Sequence, residues 1–292
     1  MQLKGLFTAL ITPFAEDALD EKGLRQLIQR QLAAQVTGIV ILGTTGESAT
    51  VTEEEKERIL AIALEEAQGK TLLIAGTGSN STEKTIRETK RAYELGFDAA
   101  LVVTPYYNKP TQEGIYQHFK ALSAATPLPL IAYNIQGRTG VNIETPTLIR
   151  LAHLPHLIGV KEASGNMNQM ADVLYALKQE QLPFSVLCGD DGLTLPLIAL
   201  GGQGVISVVS NLFPTEMMNL VQAALAGDFA RARKEHEALL PFFRAAFLET
   251  NPIPIKAALQ HLGLPAGSCR LPLSALQDKN HAALLCVLQH LH

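Results

Sequence analysis

Cysteine is scarce in this 292-residue chain: only Cys188, Cys269 and Cys286 occur. They are odd in number, far apart and without a CxxC pair. That argues against a zinc cluster or a disulfide framework and favours a reducing compartment. Charge is sparse as well, at 18% of residues with a net charge of −4, and no basic cluster of five or more appears. A nucleic-acid surface therefore has no electrostatic support. No apolar stretch reaches the length of a membrane span. The N-terminal MQLKGLFTALITPF lacks a small-residue cleavage site after a long apolar segment, so no signal peptide is expected. A cytoplasmic protein acting on small metabolites is the expectation, with 47% hydrophobic residues available for a large core.

What is present is a repeat. Eight short apolar runs read as buried strands: 6–11, 38–42, 71–75, 99–103, 128–133, 157–161, 184–188 and 204–208. Their starts fall 20–33 residues apart, the pitch of successive βα units. Runs such as Ile39-Val40-Ile41-Leu42 are apolar throughout, as parallel strands covered on both faces are. Helices are expected between them. Asp20 can cap one with an apolar face of Leu24, Leu27, Ile28 and Leu32. Thr52 and Glu55 form a capping box before Ile59, and Asn80 and Glu83 have the same spacing before Ile86. Gly69 and Gly96 punctuate helix ends.

Eight such units without a compositional break predict a closed (β/α)8 barrel, an α/β fold. An open doubly wound sheet would carry a Gly-rich fingerprint after the first strand, and the segment from Thr8 to Pro13 has none. Beyond Phe213 the pattern is helical only, with candidates at 214–226, 228–248, 252–262 and 272–291. The expected organisation is a barrel over 1–225 and a C-terminal helical extension over 226–292.

Active sites of such barrels lie at the C-terminal ends of the strands. Among the lysines, Lys161 alone completes an apolar strand. By the two-residue period it shares a face with Leu157 and Gly159, while Glu162 faces the other way. An inward ammonium would sit where desolvation disfavours charge, and a neutral amine can attack a ketone to form an iminium. The competing reading is a lysine that snorkels to solvent or pairs with a nearby carboxylate. Tyr133 closes the adjacent strand, where a phenol can move protons or simply fill the core. The turn Gly43-Thr44-Thr45-Gly46-Glu47-Ser48 offers backbone N–H groups and hydroxyls to a carboxylate or small phosphate, though an ordinary βα turn reads the same. Arg138 presents a fork of donors suited to a carboxylate, or is a surface arginine. The placement of Tyr106 and Tyr107 is not decided by spacing.

Other signatures are missing. HExxH, GxSxG and GxGxxG do not occur, and no histidine lies at a strand end. Asp190 and Asp191 have no second ligand cluster beside them, so no metal is expected. His118, His236 and His261 read as helix-surface or satisfied residues.

Together, Gly43–Ser48, Tyr133–Gly140, Gly159–Asn166 (GVKEASGN), Gly189–Asp191, Gly201–Val208 and Asn251–Leu259 (NPIPIKAAL) resemble the pyruvate-dependent lysine aldolase superfamily. That superfamily includes the dihydrodipicolinate synthases and the N-acetylneuraminate lyases. Thr44-Thr45 and Arg138 look like the synthase group, since sialic-acid lyases usually carry Ser-Thr in the turn and lack the arginine. Synthases commonly have Pro where this chain has Gln136.

The resemblance implies a lyase that condenses pyruvate with L-aspartate 4-semialdehyde on the route to diaminopimelate and lysine. The alternative is another pyruvate-dependent lyase, such as a 2-keto-3-deoxy sugar-acid or 4-hydroxy-2-oxoglutarate aldolase. It further implies that Lys161 forms the Schiff base, with no cofactor, and that Tyr133 transfers protons. Thr44 and Tyr107 would complete a relay, with Tyr107 donated across a tight dimer. Thr45 and the Ile206 backbone would hold the pyruvate carboxylate, and Arg138 the carboxylate of the second substrate. A homotetramer built as a dimer of dimers is implied too. The family's lysine-inhibition site falls on Ser48, Ala49, Glu53, Lys56, Asn80, Lys84 and Tyr106. Lys56 and Lys84 there replace groups that favour a cationic ligand, so weak or absent lysine inhibition is expected.

Overall fold

The computed structural model describes residues 1–290. Eight parallel strands form a closed barrel: β1 (Gly5–Ala9), β2 (Gly38–Ile41), β3 (Leu72–Gly76), β4 (Ala99–Val103), β5 (Leu130–Asn134), β6 (Leu157–Glu162), β7 (Ser185–Cys188) and β8 (Gly204–Ser207). Strands adjacent in sequence are adjacent in the barrel, and β1 stands beside both β2 and β8. A hairpin of two-residue strands, Phe14–Ala15 and Ala18–Leu19, follows β1.

Helices occupy the connections: α1 (Glu21–Ala33), α2 (Glu53–Ala67), α3 (Thr82–Leu95), α4 (Gln112–Ala125), α5 (Gln136–Thr139), α6 (Thr145–Ala152), α7 (Met167–Gln179) and α8 (Thr194–Ala199). After β8 come α9 (Pro214–Leu225), α10 (Phe229–Ala245), α11 (Ile253–His261) and α12 (Asp278–Gln289). None of the described helices is long and apolar enough to cross a membrane.

Local chemistry explains most of these boundaries. The Asp20 carboxylate accepts from the Gly23 N–H at 2.8 Å and starts α1. Such a cap stabilises a helix by about 1 kcal/mol. Leu24, Leu27 and Ile28 then bury completely, each worth roughly 1.5–3 kcal/mol against exposure. Thr52 and Glu55 form the reciprocal capping box of α2. Gly96 ends α3 in the left-handed conformation.

The cap of α3 differs from expectation by one residue. Ser81, not Asn80, accepts from the Lys84 N–H, and the Ser81 carbonyl takes the first bond of the helix from the Thr85 N–H. The final helix also starts later than Pro272. Residues 272–277 are turn and coil, and α12 begins at Asp278, whose charge suits the first turn of a helix. Leu291, the expected end of that helix, lies outside the described residues.

Two compact units can be distinguished. One comprises Met1–Gly5 and Ile74–Ile206, and so most of β3 through to β8 with their helices. Its strands are buried nearly throughout. Gly204 in β8 has φ +149°, and a Cβ there would lie 2.0 Å from the Gly5 carbonyl oxygen. Only glycine allows that approach of the two chain segments.

The other unit comprises Leu6–Leu73 and the residues from Ser207 onward. Here buried amides tie loops to strands. Asn211 donates to the Ala9 carbonyl at 2.8 Å and accepts from the Ile11 N–H at 3.0 Å. Gln31 of α1 accepts from the Thr8 hydroxyl at 2.8 Å and donates to the Ser210 carbonyl at 3.1 Å. Buried polar groups of this kind must be partnered, and here they are.

Candidate active site

Lys161 and Glu162 end β6, and strand alternation sends them in opposite directions. Glu162 is 1% exposed and fully engaged: one carboxylate oxygen accepts from the Asn134 amide at 2.9 Å, the other from the Ser164 N–H at 2.7 Å. Asn134 extends the network, donating to Asn142 at 2.8 Å and accepting from the Ile143 N–H at 2.9 Å. The carboxylate next to Lys161 in sequence is thus held away from its amine.

Lys161 itself is 4% exposed. It stands in register opposite Tyr133 of β5, with Nζ 4.5 Å from the centre of the phenol ring. Among the described residues no carboxylate pairs with Nζ. This disposes of the competing readings, since the side chain neither reaches solvent nor forms an ion pair. The aliphatic stem runs past the start of the β7 loop. A Cβ on Gly189 would lie 2.6 Å from the Ala163 Cβ and 3.0 Å from the Lys161 Cε, so this glycine leaves room for the lysine stem.

Lys256 of α11 makes an instructive contrast as the other buried lysine. Its ammonium donates to Glu47 at 2.7 Å, to the Ser268 carbonyl at 3.0 Å and to the Thr12 carbonyl at 3.1 Å. Burial pushes its pKa down from the ordinary value, and the Glu47 contact opposes that shift. With every donor committed, Lys256 is built to hold structure.

The remaining expected residues of this unit are Arg138, Ile206 and Tyr107. Arg138 is exposed on α5, a four-residue helix that starts two residues after β5. Gln136 takes the first position of α5, where proline is equally at home. The departure at this position therefore leaves the backbone path of the Arg138 segment possible for either residue. Ile206 is fully buried in β8. Tyr107 is 90% exposed, with φ +74°. An aromatic side chain held outward on a strained backbone costs on the order of 1–3 kcal/mol and marks a position shaped by something other than local preference.

Asp190 caps its own turn through the Gly192 N–H at 3.0 Å. The Cys188 thiol donates to the Asp190 carbonyl, and burial raises its pKa well above the ordinary value, so it is no nucleophile. His118, expected to be a satisfied or surface residue, is buried. Its Nδ1 pairs with the Thr82 hydroxyl at 2.9 Å, while Nε2 has no partner among the described residues.

In the other unit, the turn after β2 is fixed at three consecutive positions. Asn251 donates to the Thr45 hydroxyl at 2.9 Å. The Thr12 hydroxyl donates to the Gly46 carbonyl at 2.7 Å. Glu47, at φ +52°, accepts from Lys256 and from the Arg270 N–H at 2.9 Å. Thr45 is buried and Thr44 is half-buried. Asn251, Glu47 and Lys256 hold this turn in place, a role the sequence reading did not single out. Lys256 carried a signal, since it falls among Ile253, Ile255, Ala258 and Leu259 on a buried helix face. On α2, Lys56 pairs with Glu53 at 2.7 Å.

Known proteins provide close counterparts. A Protochlamydia amoebophila protein named 4-hydroxy-tetrahydrodipicolinate synthase is 59% identical over all of this chain and 97% of its own length. The solved dihydrodipicolinate synthase of Thermotoga maritima superposes with a TM-score of 0.97 at 43% identity, covering 100% of this chain and 99% of that one. The chloride-inhibited dihydrodipicolinate synthase of Acinetobacter baumannii, solved in complex with pyruvate, superposes with a TM-score of 0.95 at 39% identity over 99% of this chain and 98% of that one. The model of the dihydrodipicolinate synthetase family matches residues 2–291, and with identity of this extent the chain belongs to that family.

Proposed function

We propose that this chain condenses pyruvate with L-aspartate 4-semialdehyde through a Schiff base on Lys161, in the biosynthesis of diaminopimelate and lysine. The observation that carries the reading is a buried amine, free of carboxylates and opposed to a phenol at the end of a barrel strand. An amine so placed adds to the pyruvate carbonyl carbon, and Tyr133 supplies the proton that lets water leave. The iminium then draws electrons from the methyl group, which loses a proton to give an enamine. The enamine carbon attacks the aldehyde. The amino group of the second substrate finally displaces the Lys161 nitrogen, closing the ring and freeing the enzyme. No cofactor enters this sequence.

Thr44 and Tyr107 relay protons to Tyr133, with Tyr107 given to the neighbouring subunit of a tight dimer. Its outward side chain supports that role. Thr45 and the Ile206 backbone bind the pyruvate carboxylate. Arg138 binds the carboxylate of the semialdehyde, for which a planar fork of donors is suited. The assembly is a homotetramer of two such dimers, working in the cytoplasm.

The test is a comparison of second substrates at fixed pyruvate. Aspartate 4-semialdehyde is expected to be consumed faster than a panel of sugar-acid aldehydes. Preferential consumption of the sugar-acid panel would overturn the assignment in favour of a 2-keto-3-deoxy sugar-acid aldolase.

A further inference from the structure

A threonine hydroxyl has one proton and two lone pairs, so it can serve a neighbour as donor or as acceptor. At Thr45 the choice has consequences, because a carboxylate can only accept. The side chain that decides is Asn251, which immediately precedes the Pro252 at the head of α11. Its Nδ2, a group that only donates, lies 2.9 Å from Thr45 Oγ1 in a buried contact. Thr45 is 2% and Asn251 5% exposed, so water does not compete freely for either.

With one lone pair of Oγ1 filled by the amide N–H, the Thr45 proton cannot point back at Asn251. It is directed to some other acceptor. The backbone cannot turn to relieve this, since Gly46 and Glu47 are held by Thr12 and by Lys256.

We infer that Asn251 is a positioning residue that sets the hydrogen-bond polarity of Thr45, so that the hydroxyl presents its proton to the carboxylate of the keto acid. The inference rests on the function proposed above. Without the amide, the hydroxyl proton is free to turn elsewhere and the carboxylate meets a lone pair for part of the time. With an acceptor in place of the amide, the proton is drawn away altogether.

The experiment reads the pyruvate concentration that gives half-maximal borohydride-trapped label on Lys161. It compares the parent protein with Asn251→Ala, Thr45→Val and the double variant. Asn251→Ala is expected to raise half-saturation about tenfold, the scale of one hydrogen bond to a charged group, while maximal labelling is kept. In the Thr45→Val background the same substitution is expected to add little, because coupled residues are non-additive. Asn251→Asp keeps the shape but accepts instead of donating, and it should raise half-saturation further than Asn251→Ala. Part of that increment should vanish with the Thr45 hydroxyl. If Asn251→Ala fails to fold, the aspartate variant with and without Thr45→Val makes the same comparison.

Unchanged half-saturation in the Asn251 variants, or an effect undiminished by Thr45→Val, overturns the inference while the proposed function stands. A parent protein that forms no adduct with pyruvate overturns both.

Discussion

Replacing Lys256 by Met removes the charge that neutralises Glu47 where both side chains are almost wholly buried, at 2% and 1% exposure. The Glu47 carboxylate keeps the Arg270 N–H at 2.9 Å but loses its ammonium partner. The carbonyls of Thr12 and Ser268 lose their contacts with the same Nζ. Breaking a buried pair from one side costs about 3–5 kcal/mol, because a charge is left without compensation. For a chain of this size the entropy of unfolding converts that to a fall of about 5–8 °C in melting temperature. The intact pair is worth less than this figure suggests, since burial already penalises the Lys256 ammonium. Lys256→Met with Glu47→Gln keeps an acceptor for the Arg270 N–H and removes the stranded charge. That double variant should therefore melt above Lys256→Met alone. Thermal unfolding followed by circular dichroism reads both comparisons. A single variant melting within a degree of the parent, or a double variant lower than the single by the full Glu47→Gln effect, would refute the reasoning.

Three further outcomes follow from other residues. Burial lowers the His118 pKa from 6.5 to about 4, so the folded protein binds fewer protons than the unfolded chain and stability falls as pH drops from 6.5 to about 4. His118→Gln should flatten that part of the melting profile, and an unchanged slope would count against it. Gly189→Ala places a Cβ 3.0 Å from the Lys161 Cε. Slower adduct formation with pyruvate is expected, and a rate equal to the parent's would show that the lysine does not need the space. Free L-lysine should inhibit weakly or not at all. The resemblance puts Lys84 among the residues of the expected site, and a like charge at short range costs roughly 1 kcal/mol even in water. Half-maximal inhibition at submillimolar lysine would contradict this.

Much of the scaffold is legible in the sequence because its signals are local. The apolar runs mark all eight barrel strands to within a residue or two at most ends. Asp20, Thr52 and Gly96 set helix boundaries through contacts a few residues away. Alternation alone puts Lys161 and Glu162 on opposite faces of their strand, while the burial of Lys161 without an ion-pair partner is read only from the structure. Elements that depend on distant partners are not legible. Asn251 and Thr45 are 206 residues apart, and Lys256 and Glu47 are 209 apart. Nothing in either segment announces the other. Ser81 caps in place of Asn80 because both are capping residue types and the helix begins one residue later, with the Thr85 N–H bonded to the Ser81 carbonyl. The segment carrying Arg138 is a single helical turn, too short for any periodicity to show.

The most direct test of the central claim is borohydride reduction in saturating pyruvate, followed by peptide mass mapping. The account predicts one reduced three-carbon unit on the peptide containing Lys161. Lys161→Ala should lose the label while melting like the parent. Absence of label, or label on the equally buried Lys256 instead, would contradict it.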